Sequence, residues 1–309
     1  MSYDIANAPK NRLSKKEEAN KYYIENYSVD LTNKNSSHTI MVDEAKGLKR
    51  ILDVGCGAGV IGKKIKELQK CTVDGIEIDT VAAGIAKKVL DHVYVMPIDD
   101  EKNKTYQAFM REDKKYDMII CADIIEHLVD PGKTLSNLSK KLAPKGKIVI
   151  SIPNLSHIDV IAGLIDGRFN YNRVGILDST HLRFWTENSF YEFIANVNEN
   201  YKINFVPRLV AKTTATDETI HTGFLEDVCG KELYTFQNVF ELTMQKNPYV
   251  PKVRRYHNYE KLLQMGEELK NLREEVKLKD QIIKDMQQST SWKVTAPLRK
   301  VSGKLKHEK

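Results

Sequence analysis

Two acidic residues and two histidines follow the pattern of a site that binds a cation or removes a proton. Asp123, Glu126 and His127 occur at i, i+3 and i+4, which would place their side chains on one face of a helical turn. His181 follows in the segment His-Leu-Arg-Phe-Trp-Thr. Carboxylates and imidazoles are ligands of divalent cations, and imidazole is also a common general base. Three interpretations are therefore open: a metal site, a metal-free general base, or ordinary packing of His127.

A glycine-rich turn follows the first predicted strand, Ile-Leu-Asp-Val at 51–54. Glycines at 55, 57 and 59 allow the backbone to turn sharply and to approach a ligand closely before a helical pattern begins at Val60. The helix N-terminus would then present free N–H groups. Glu77 ends a second predicted strand about twenty residues later, the position from which a carboxylate binds ribose hydroxyls in nucleotide-binding units.

Asp53 distinguishes between two kinds of nucleotide ligand. A carboxylate at this strand end would repel the pyrophosphate of a dinucleotide such as NAD. S-adenosylmethionine (SAM) instead carries an ammonium and a sulfonium group, which a carboxylate attracts. We therefore expect SAM, with NAD binding and a loop that holds no ligand as the alternatives.

The string Leu-Asp-Val-Gly-Cys-Gly-Ala-Gly at 52–59 resembles the first motif of class I SAM-dependent methyltransferases. The resemblance extends over residues 20–246 and implies an α/β fold with a doubly wound, seven-stranded, mostly parallel sheet. Pro97 departs from the usual family pattern ahead of the expected adenine-binding acid, Asp99. The residues that the resemblance implies for SAM binding are Asp53, Gly55, Cys56, Gly57, Gly59, Glu77, Ile78, Ile98, Asp99 and Asp123.

The pattern Tyr-Asp-Met-Ile-Ile…Asp-x-x-Glu-His-Leu…Asp-Pro at 116–131 is similar to the subgroup that contains ubiquinone-pathway O-methyltransferases. Its central part also resembles the metal site of small-RNA 3′-end 2′-O-methyltransferases, in which a downstream histidine completes the site. That family has Glu where this chain has Asp123. The resemblance implies a site for Mg²⁺, Mn²⁺ or a softer divalent ion, formed by Asp123, Glu126, His127 and His181.

Residues 155–185 form an insertion that we expect to face the methyl acceptor. The candidate catalytic residues are His127, His181, Asp178 and Arg183. Arg168 and Arg183 would bind an anionic acceptor such as a phosphate or a sugar acid. The alternative is that both arginines are ordinary surface charges.

The elements that must position these residues alternate along the chain. Apolar runs ending near residues 54, 79, 96, 123 and 154 predict strands, and helical patterns at 60–68, 81–90 and 134–142 separate them. Thr186 has the sequence context of a helix N-cap, and 201–210 and 234–244 predict two further strands. This alternation is typical of a parallel, doubly wound sheet.

Charge is distributed unevenly along the 309 residues, although the net charge is +6. Residues 252–309 contain 15 Lys and Arg against 8 Asp and Glu, whereas residues 1–251 contain 33 against 34. The neutral body argues against a nucleic-acid partner. No signal-like start or membrane-spanning run occurs, so we expect a cytoplasmic protein, with peripheral contact at the inner face of the membrane as an open alternative.

The C-terminal part predicts association with other molecules. We divide the chain into a methyltransferase domain at 1–246, a linker at 247–257, a coiled coil at 258–288 and a basic amphipathic tail at 289–309. The predicted coiled-coil seam alternates at spacings of three and four and implies a homo-oligomer or a hetero-partner. The seam consists of Leu262, Met265, Leu269, Leu272, Val276, Lys279, Ile283 and Met286.

A further resemblance indicates the acceptor. The segment Asp-x-x-His-Leu-Arg-Phe-Trp-Thr, the coiled coil and the string Ser-Trp-Lys-Val-Thr-Ala-Pro-Leu-Arg-Lys at 291–300 resemble proteins of bacterial surface-polysaccharide clusters. This implies O-methylation of a glycan or glycolipid, at a sugar hydroxyl or a terminal phosphate. The alternatives are a small-molecule or quinone O-methyltransferase and a non-catalytic scaffold that recruits a synthase.

Overall fold

The computed structural model describes residues 28–198, 200–210, 231–245 and 257–289. Contacts within the chain divide it into two compact units, Met1–Arg254 and Arg255–Lys309. The first unit contains one seven-stranded sheet. Its strands are β1 (Arg50–Val54), β2 (Thr72–Glu77), β3 (His92–Val95), β4 (Tyr116–Ala122), β5 (Leu142–Pro153), β6 (Tyr201–Val210) and β7 (Thr235–Met244).

Helices connect most of these strands. Among the described residues of the first unit, the helices are α1 (Ser37–Glu44), α2 (Val60–Leu68), α3 (Thr80–Ala86), α4 (Lys104–Arg111), α5 (Pro131–Ser139), α6 (Ile158–Ile165) and α7 (Glu187–Val197). Single 3₁₀ turns cover Ile125–His127 and Lys231–Tyr234. The predicted N-cap is confirmed, because the Thr186 side chain accepts a hydrogen bond from Ser189 N and forms a capping box at the start of α7.

The strand order is β3-β2-β1-β4-β5-β7-β6. Strands β1 to β5 pair in parallel, whereas β7 runs antiparallel to both β5 and β6. The expected doubly wound, mostly parallel sheet is confirmed. Because β1 and β4 are neighbours with connections to opposite sides, their carboxyl ends form the edge at which open α/β sheets bind ligands.

Two apolar clusters make up the core. One contains Leu52 and Val54 and the other contains Ile51, and since neighbouring strand residues point to opposite faces, the clusters lie on the two sides of the sheet. The central strands are buried on both faces, which explains why they appear in the sequence as continuous apolar runs rather than alternating ones. The rigid sheet therefore fixes the position of the carboxyl edge.

Several element boundaries differ from the sequence prediction. Helix α5 begins at Pro131 rather than Thr134, because Asp130 caps it by accepting from Lys133 N. Leu142, predicted to end that helix, instead pairs with Tyr116 at the start of β5. Helices α4 and α6 were not predicted. Helix α4 is amphipathic but short, and it buries only Tyr106 and Phe109. Helix α6 is apolar almost throughout and so shows no helical alternation.

The described part of the second unit is a long helix, α8 (His257–Gln288). Apolar side chains of the predicted seam lie exposed on α8, and Lys279 forms an ion pair with Glu275 at 2.6 Å. The exposed seam residues are Leu269, Leu272, Val276, Ile283 and Met286. The coiled coil and the four-part domain division stay predictions, since the linker up to residue 256 and the tail beyond 289 lie outside the described residues. Within the described ranges, no helix has the length and apolarity needed to span a bilayer.

Candidate functional site

Asp53 lies at the carboxyl end of β1 and is buried. Among the described residues, no group donates a hydrogen bond to its Oδ2 atom. Burial, and secondly the charge of Glu77, raise the pKa of Asp53 to about 7. A buried carboxylate without a donor is costly. A cationic ligand group would offset that cost, so the site fits the ammonium group of SAM.

Glu77 joins the glycine-rich turn to the end of β2. Its Oε2 atom accepts a hydrogen bond from Gly57 N and its Oε1 atom accepts one from Asp79 N, both at 2.8 Å. Each carboxylate oxygen can accept a further bond. Glu77 is therefore held by the main chain in a fixed orientation and retains acceptor capacity for two ribose hydroxyls.

The turn itself depends on glycine. Gly55 and Gly57 have φ angles of 70° and 52°, in the left-handed region that favours glycine. A Cβ atom at Gly55 would also lie 2.9 Å from Cδ1 of Ile124. A side chain at either position would disturb the backbone that positions Glu77.

Four amides of this turn donate within the protein, whereas the free N–H groups expected at the N-terminus of α2, which begins at Val60, stay a prediction. Gly55 N and Cys56 N both donate to the Ile76 carbonyl, at 2.8 and 3.0 Å, and Gly59 N donates to the Cys56 carbonyl. Gly57 N is taken by Glu77. A pyrophosphate requires such amides as donors. The amides at 55, 56, 57 and 59 are therefore already engaged, and a dinucleotide stays the alternative ligand.

The remaining candidates for cofactor contact differ in exposure. The Cys56 thiol is buried close to Gly75, so Cys56 would contact a cofactor only through its main chain. Ile78 is 67% exposed beside Glu77, whereas Ile98 is buried. Asp99 accepts a weak hydrogen bond of 3.4 Å from Val129 N. An exposed isoleucine and a carboxylate at this edge suit the apolar face and the amino group of an adenine.

Glu126, His127 and His181 come together beyond the end of β4. One ligand atom from each residue lies within 4.8 Å of the others. Glu126 is 1% exposed, and both of its carboxylate oxygens are buried with no hydrogen-bond partner among the described residues. Burial, together with the charges of Asp123 and Asp178, raises the pKa of Glu126 well above its usual value. Three of the four predicted metal ligands are thus brought together.

Main-chain contacts fix the two histidines. The Glu126 carbonyl accepts hydrogen bonds from Leu182 N at 2.8 Å and Arg183 N at 3.1 Å, which ties the 3₁₀ turn to the later loop. His127 Nδ1 lies 3.2 Å from the Thr180 carbonyl, and His181 Nδ1 lies 2.9 Å from the Ile176 carbonyl. Because a carbonyl only accepts, both Nδ1 atoms carry the hydrogen. Nε2 is then the basic nitrogen of each ring.

Asp123 departs from the expected arrangement. Its φ of 53° is left-handed, and the helical turn begins only at Ile125, so the predicted single face for 123, 126 and 127 is wrong. The Asp123 Oδ1 atom accepts from Ser151 Oγ at 3.2 Å and from Gln237. Burial raises its pKa to about 6, although these two hydrogen bonds lower it. Asp123 lies outside the group of three, and its roles as metal ligand and cofactor contact stay predictions.

The other acceptor-side candidates serve the local structure. Asp178 is buried, and its Oδ1 atom accepts from the Thr180 amide and hydroxyl at 2.9 and 2.7 Å. The Arg183 guanidinium donates to the Val129 carbonyl at 2.8 Å, and Arg168 forms an ion pair with Asp166 at 2.6 Å. Asp178 and Arg183 therefore brace the histidine loop, and a direct role in catalysis or anion binding stays a prediction.

Sequence reasoning missed the groups that orient this site. Gln237 on β7 and Ser151 on β5 hold Asp123, and the carbonyls of Ile176 and Thr180 set the histidine tautomers. Ser151 could have been identified from the sequence, because it is a polar residue within the apolar run of β5. No sequence signal identifies a main-chain carbonyl as a histidine partner.

Comparisons with known proteins agree with this geometry. A family model described as "Methyltransferase domain" matches residues 6–198. The chain is 28% identical over 152 residues to the ubiquinone biosynthesis O-methyltransferase of Rickettsia bellii strain OSU 85-389, and 30% identical over 124 residues to that of Pasteurella multocida. These matches cover 48% and 37% of this chain. They cover 60% and 51% of the two relatives, so this chain spans little more than half of the relatives' length.

A solved structure, a SAM-dependent methyltransferase from Archaeoglobus fulgidus, is 18% identical to this chain. It superposes with a TM-score of 0.45 over 69% of this chain and 96% of its own. The family match covers most of the first unit, including the glycine-rich turn, Glu77 and the Glu126–His127 turn. The chain therefore belongs to the methyltransferase-domain family.

Proposed function

We propose that this protein transfers the methyl group of SAM to a hydroxyl oxygen, and that Glu126, His127 and His181 hold a divalent cation which binds that hydroxyl. The observation that carries the proposal is that buried Glu126 and His181 converge with half-buried His127 within 4.8 Å at the carboxyl edge of the sheet. When bound, SAM supplies an electrophilic methyl group on its sulfonium. The protein must then orient the hydroxyl and promote loss of its proton.

The donor set fits a cation. Around an ion with bonds of about 2.1 Å, neighbouring ligand atoms lie roughly 3–4 Å apart, so small side-chain movements would complete the site. Both carboxylate oxygens of Glu126 are buried without a hydrogen-bond partner among the described residues, and a cation would compensate their charge. Both histidines direct Nδ1–H to a carbonyl, the arrangement that orients metal-bound imidazoles.

The ligand types favour particular ions. Two imidazoles and one carboxylate suit Mn²⁺, Fe²⁺ or Zn²⁺ better than Mg²⁺, which prefers oxygen ligands. A cation bound here would lower the pKa of a coordinated hydroxyl. In a metal-free site, Nε2 of His127 or His181 would take the proton directly.

We favour a glycan or glycolipid hydroxyl as the acceptor, on the basis of the segment at 178–186 and the string at 291–300. The relatives named ubiquinone biosynthesis O-methyltransferase support a phenolic acceptor as the second candidate. Both acceptors present a hydroxyl on a six-membered ring, so the same cluster would serve either.

The test is transfer of labelled methyl from SAM to two acceptor sets, fractionated surface glycans and catechol. We expect His127→Ala and His181→Ala to abolish transfer while SAM affinity is retained. His92→Ala, an exposed histidine at the start of β3, serves as the matched control and should transfer normally. Wild-type transfer that persists in both cluster variants would contradict the proposal.

Chelation separates the two mechanisms. Loss of transfer after treatment with EDTA, restored by Mn²⁺, supports the cation. Full activity after exhaustive chelation would overturn the metal site and leave a histidine as general base.

A further inference from the structure

An aromatic cluster extends from the histidine pair to the protein surface. The ring of Phe184 lies 6.1 Å from that of His181, and it also lies 5.9 Å from Phe169 and 6.1 Å from Tyr171, measured between centroids. Phe169 and Tyr171 are themselves 5.8 Å apart. The three rings, Phe169, Tyr171 and Phe184, therefore form one contiguous group next to His181, which we term the aromatic cluster.

The aromatic cluster is only partly buried. Phe169 is 41% exposed and Tyr171 is 43% exposed, and Phe184 has intermediate exposure. By contrast, Phe109, Phe190 and Phe240 are fully buried in the core. Exposed aromatic surface beside a cluster of buried polar groups is typical of a ligand site.

Main-chain hydrogen bonds hold the segments that carry the rings. Asn172 N donates to the Leu177 carbonyl at 2.7 Å, and Ser179 N donates to the Asn172 carbonyl at 2.9 Å. Arg168 N donates to the Gly163 carbonyl at 2.7 Å at the end of α6. The aromatic cluster is thus attached to the same loop that positions His181, and a ligand on its rings would lie next to the histidines.

We propose that the aromatic cluster is the subsite that binds the ring bearing the methylated hydroxyl. This inference rests on the proposed function, and it assigns the acceptor a flat, apolar face. Such a face is presented by the C–H side of a pyranose and by the π system of a phenol, and both stack on aromatic rings. A sugar ring and a phenol ring would thus bind in the same way, and the experiment uses one probe of each kind to distinguish them.

The experiment measures probe binding to the full chain saturated with S-adenosylhomocysteine, by saturation-transfer NMR. The probes are catechol and methyl α-D-mannopyranoside. Phe184→Leu and Tyr171→Leu keep apolar volume and remove the π face, so both should weaken binding of the recognised probe at least fivefold. Leu68→Ala, an exposed apolar residue on α2, is the control and should bind as the wild type does.

Thermal unfolding of each variant shows whether weaker probe binding results from the lost ring or from loss of the folded structure. Phe184 is the less exposed ring, so Tyr171→Leu provides the second variant if Phe184→Leu is unstable. Wild-type probe binding in Tyr171→Leu, or failure of both probes to bind the wild-type protein, would overturn the subsite. Ring-dependent binding without methyl transfer would support the subsite and contradict the proposed transfer chemistry, so the two failures are distinguishable.

Discussion

The imidazoles of His127 and His181 meet edge to face, with their ring centroids 4.7 Å apart. They come from a 3₁₀ turn after β4 and from a loop before α7. The Glu126 carbonyl joins these two segments by accepting from Leu182 N and Arg183 N. These main-chain hydrogen bonds therefore help to set the distance between the two histidines.

SAM affinity should depend on pH through Asp53. Its pKa is raised to about 7, so the side chain is largely protonated below that pH in the ligand-free protein. The ammonium of SAM favours the ionised form, and we expect affinity to rise between pH 6 and pH 8 with release of a proton. Calorimetry in buffers of different ionisation enthalpy measures that release. Asp53→Asn should bind weakly and without this dependence; an unchanged affinity in this variant would contradict the assignment.

The raised pKa of Asp53 should also make the ligand-free protein less stable as pH rises, although SAM affinity increases over the same range. In the unfolded chain Asp53 ionises near pH 4, whereas in the folded chain it ionises only near pH 7. Between pH 4 and pH 7, Asp53 is therefore ionised in the unfolded chain but not in the folded chain. This stabilises the unfolded state, so the free energy of unfolding falls as pH rises over this range. Ligand-free Asp53→Asn should melt at a higher temperature than the wild type at pH 8. A lower melting temperature would indicate that Asp53 makes a stabilising contact in the folded state.

Much of the cofactor half of the site was predictable from sequence, because it depends on local features. The order strand, glycine turn, helix and second strand places Asp53 and Glu77 at one sheet edge. The acceptor half was less predictable. The prediction of one helical face failed at Asp123 because Ser151 and Gln237, from two other strands, hold its side chain in a left-handed segment. Such long-range partners leave no periodic signal in the sequence.

Glu77→Gln should weaken SAM binding without unfolding the domain. The glutamine keeps the size of the side chain but replaces one acceptor of Gly57 N or Asp79 N by a donor. Loss of a hydrogen bond to a charged group costs about 1.5–3 kcal/mol, which corresponds to roughly 10–150-fold in Kd. Asp79→Asn is a matched control, because asparagine caps α3 as well as aspartate does. Equal SAM affinities for the two variants would rule out a specific role for Glu77.

Helix α8 should associate through its apolar seam. Leu272 and Val276 are each 56% exposed, and a helix that leaves such a stripe in water gains by packing against a partner. We expect truncation after Pro251, and also Val276→Asp in the full chain, to lower the oligomeric state measured by light scattering while SAM binding is retained. Lys279→Leu should strengthen association, since it removes a charge from the seam. A wild-type protein that is monomeric at high concentration would contradict the coiled coil.

The basic tail at 289–309 is a separate prediction, because its residues after 289 lie outside the described structure. Near an anionic bilayer each basic residue contributes about 1 kcal/mol. The full chain should bind phosphatidylserine vesicles at low salt and lose this binding on truncation. If the full chain does not bind such vesicles at low salt, the membrane contact is wrong and only the coiled coil remains.

Titration of the purified, metal-stripped protein with Mn²⁺, followed by the loss of the free-ion EPR signal, tests the cation site directly. We expect one Mn²⁺ per chain in the wild type and in His92→Ala. Glu126→Gln and His181→Ala should bind Mn²⁺ at least about tenfold more weakly while their SAM affinity is unchanged. Equal Mn²⁺ affinity in the wild type and both cluster variants would contradict a metal-binding role for Glu126, His127 and His181.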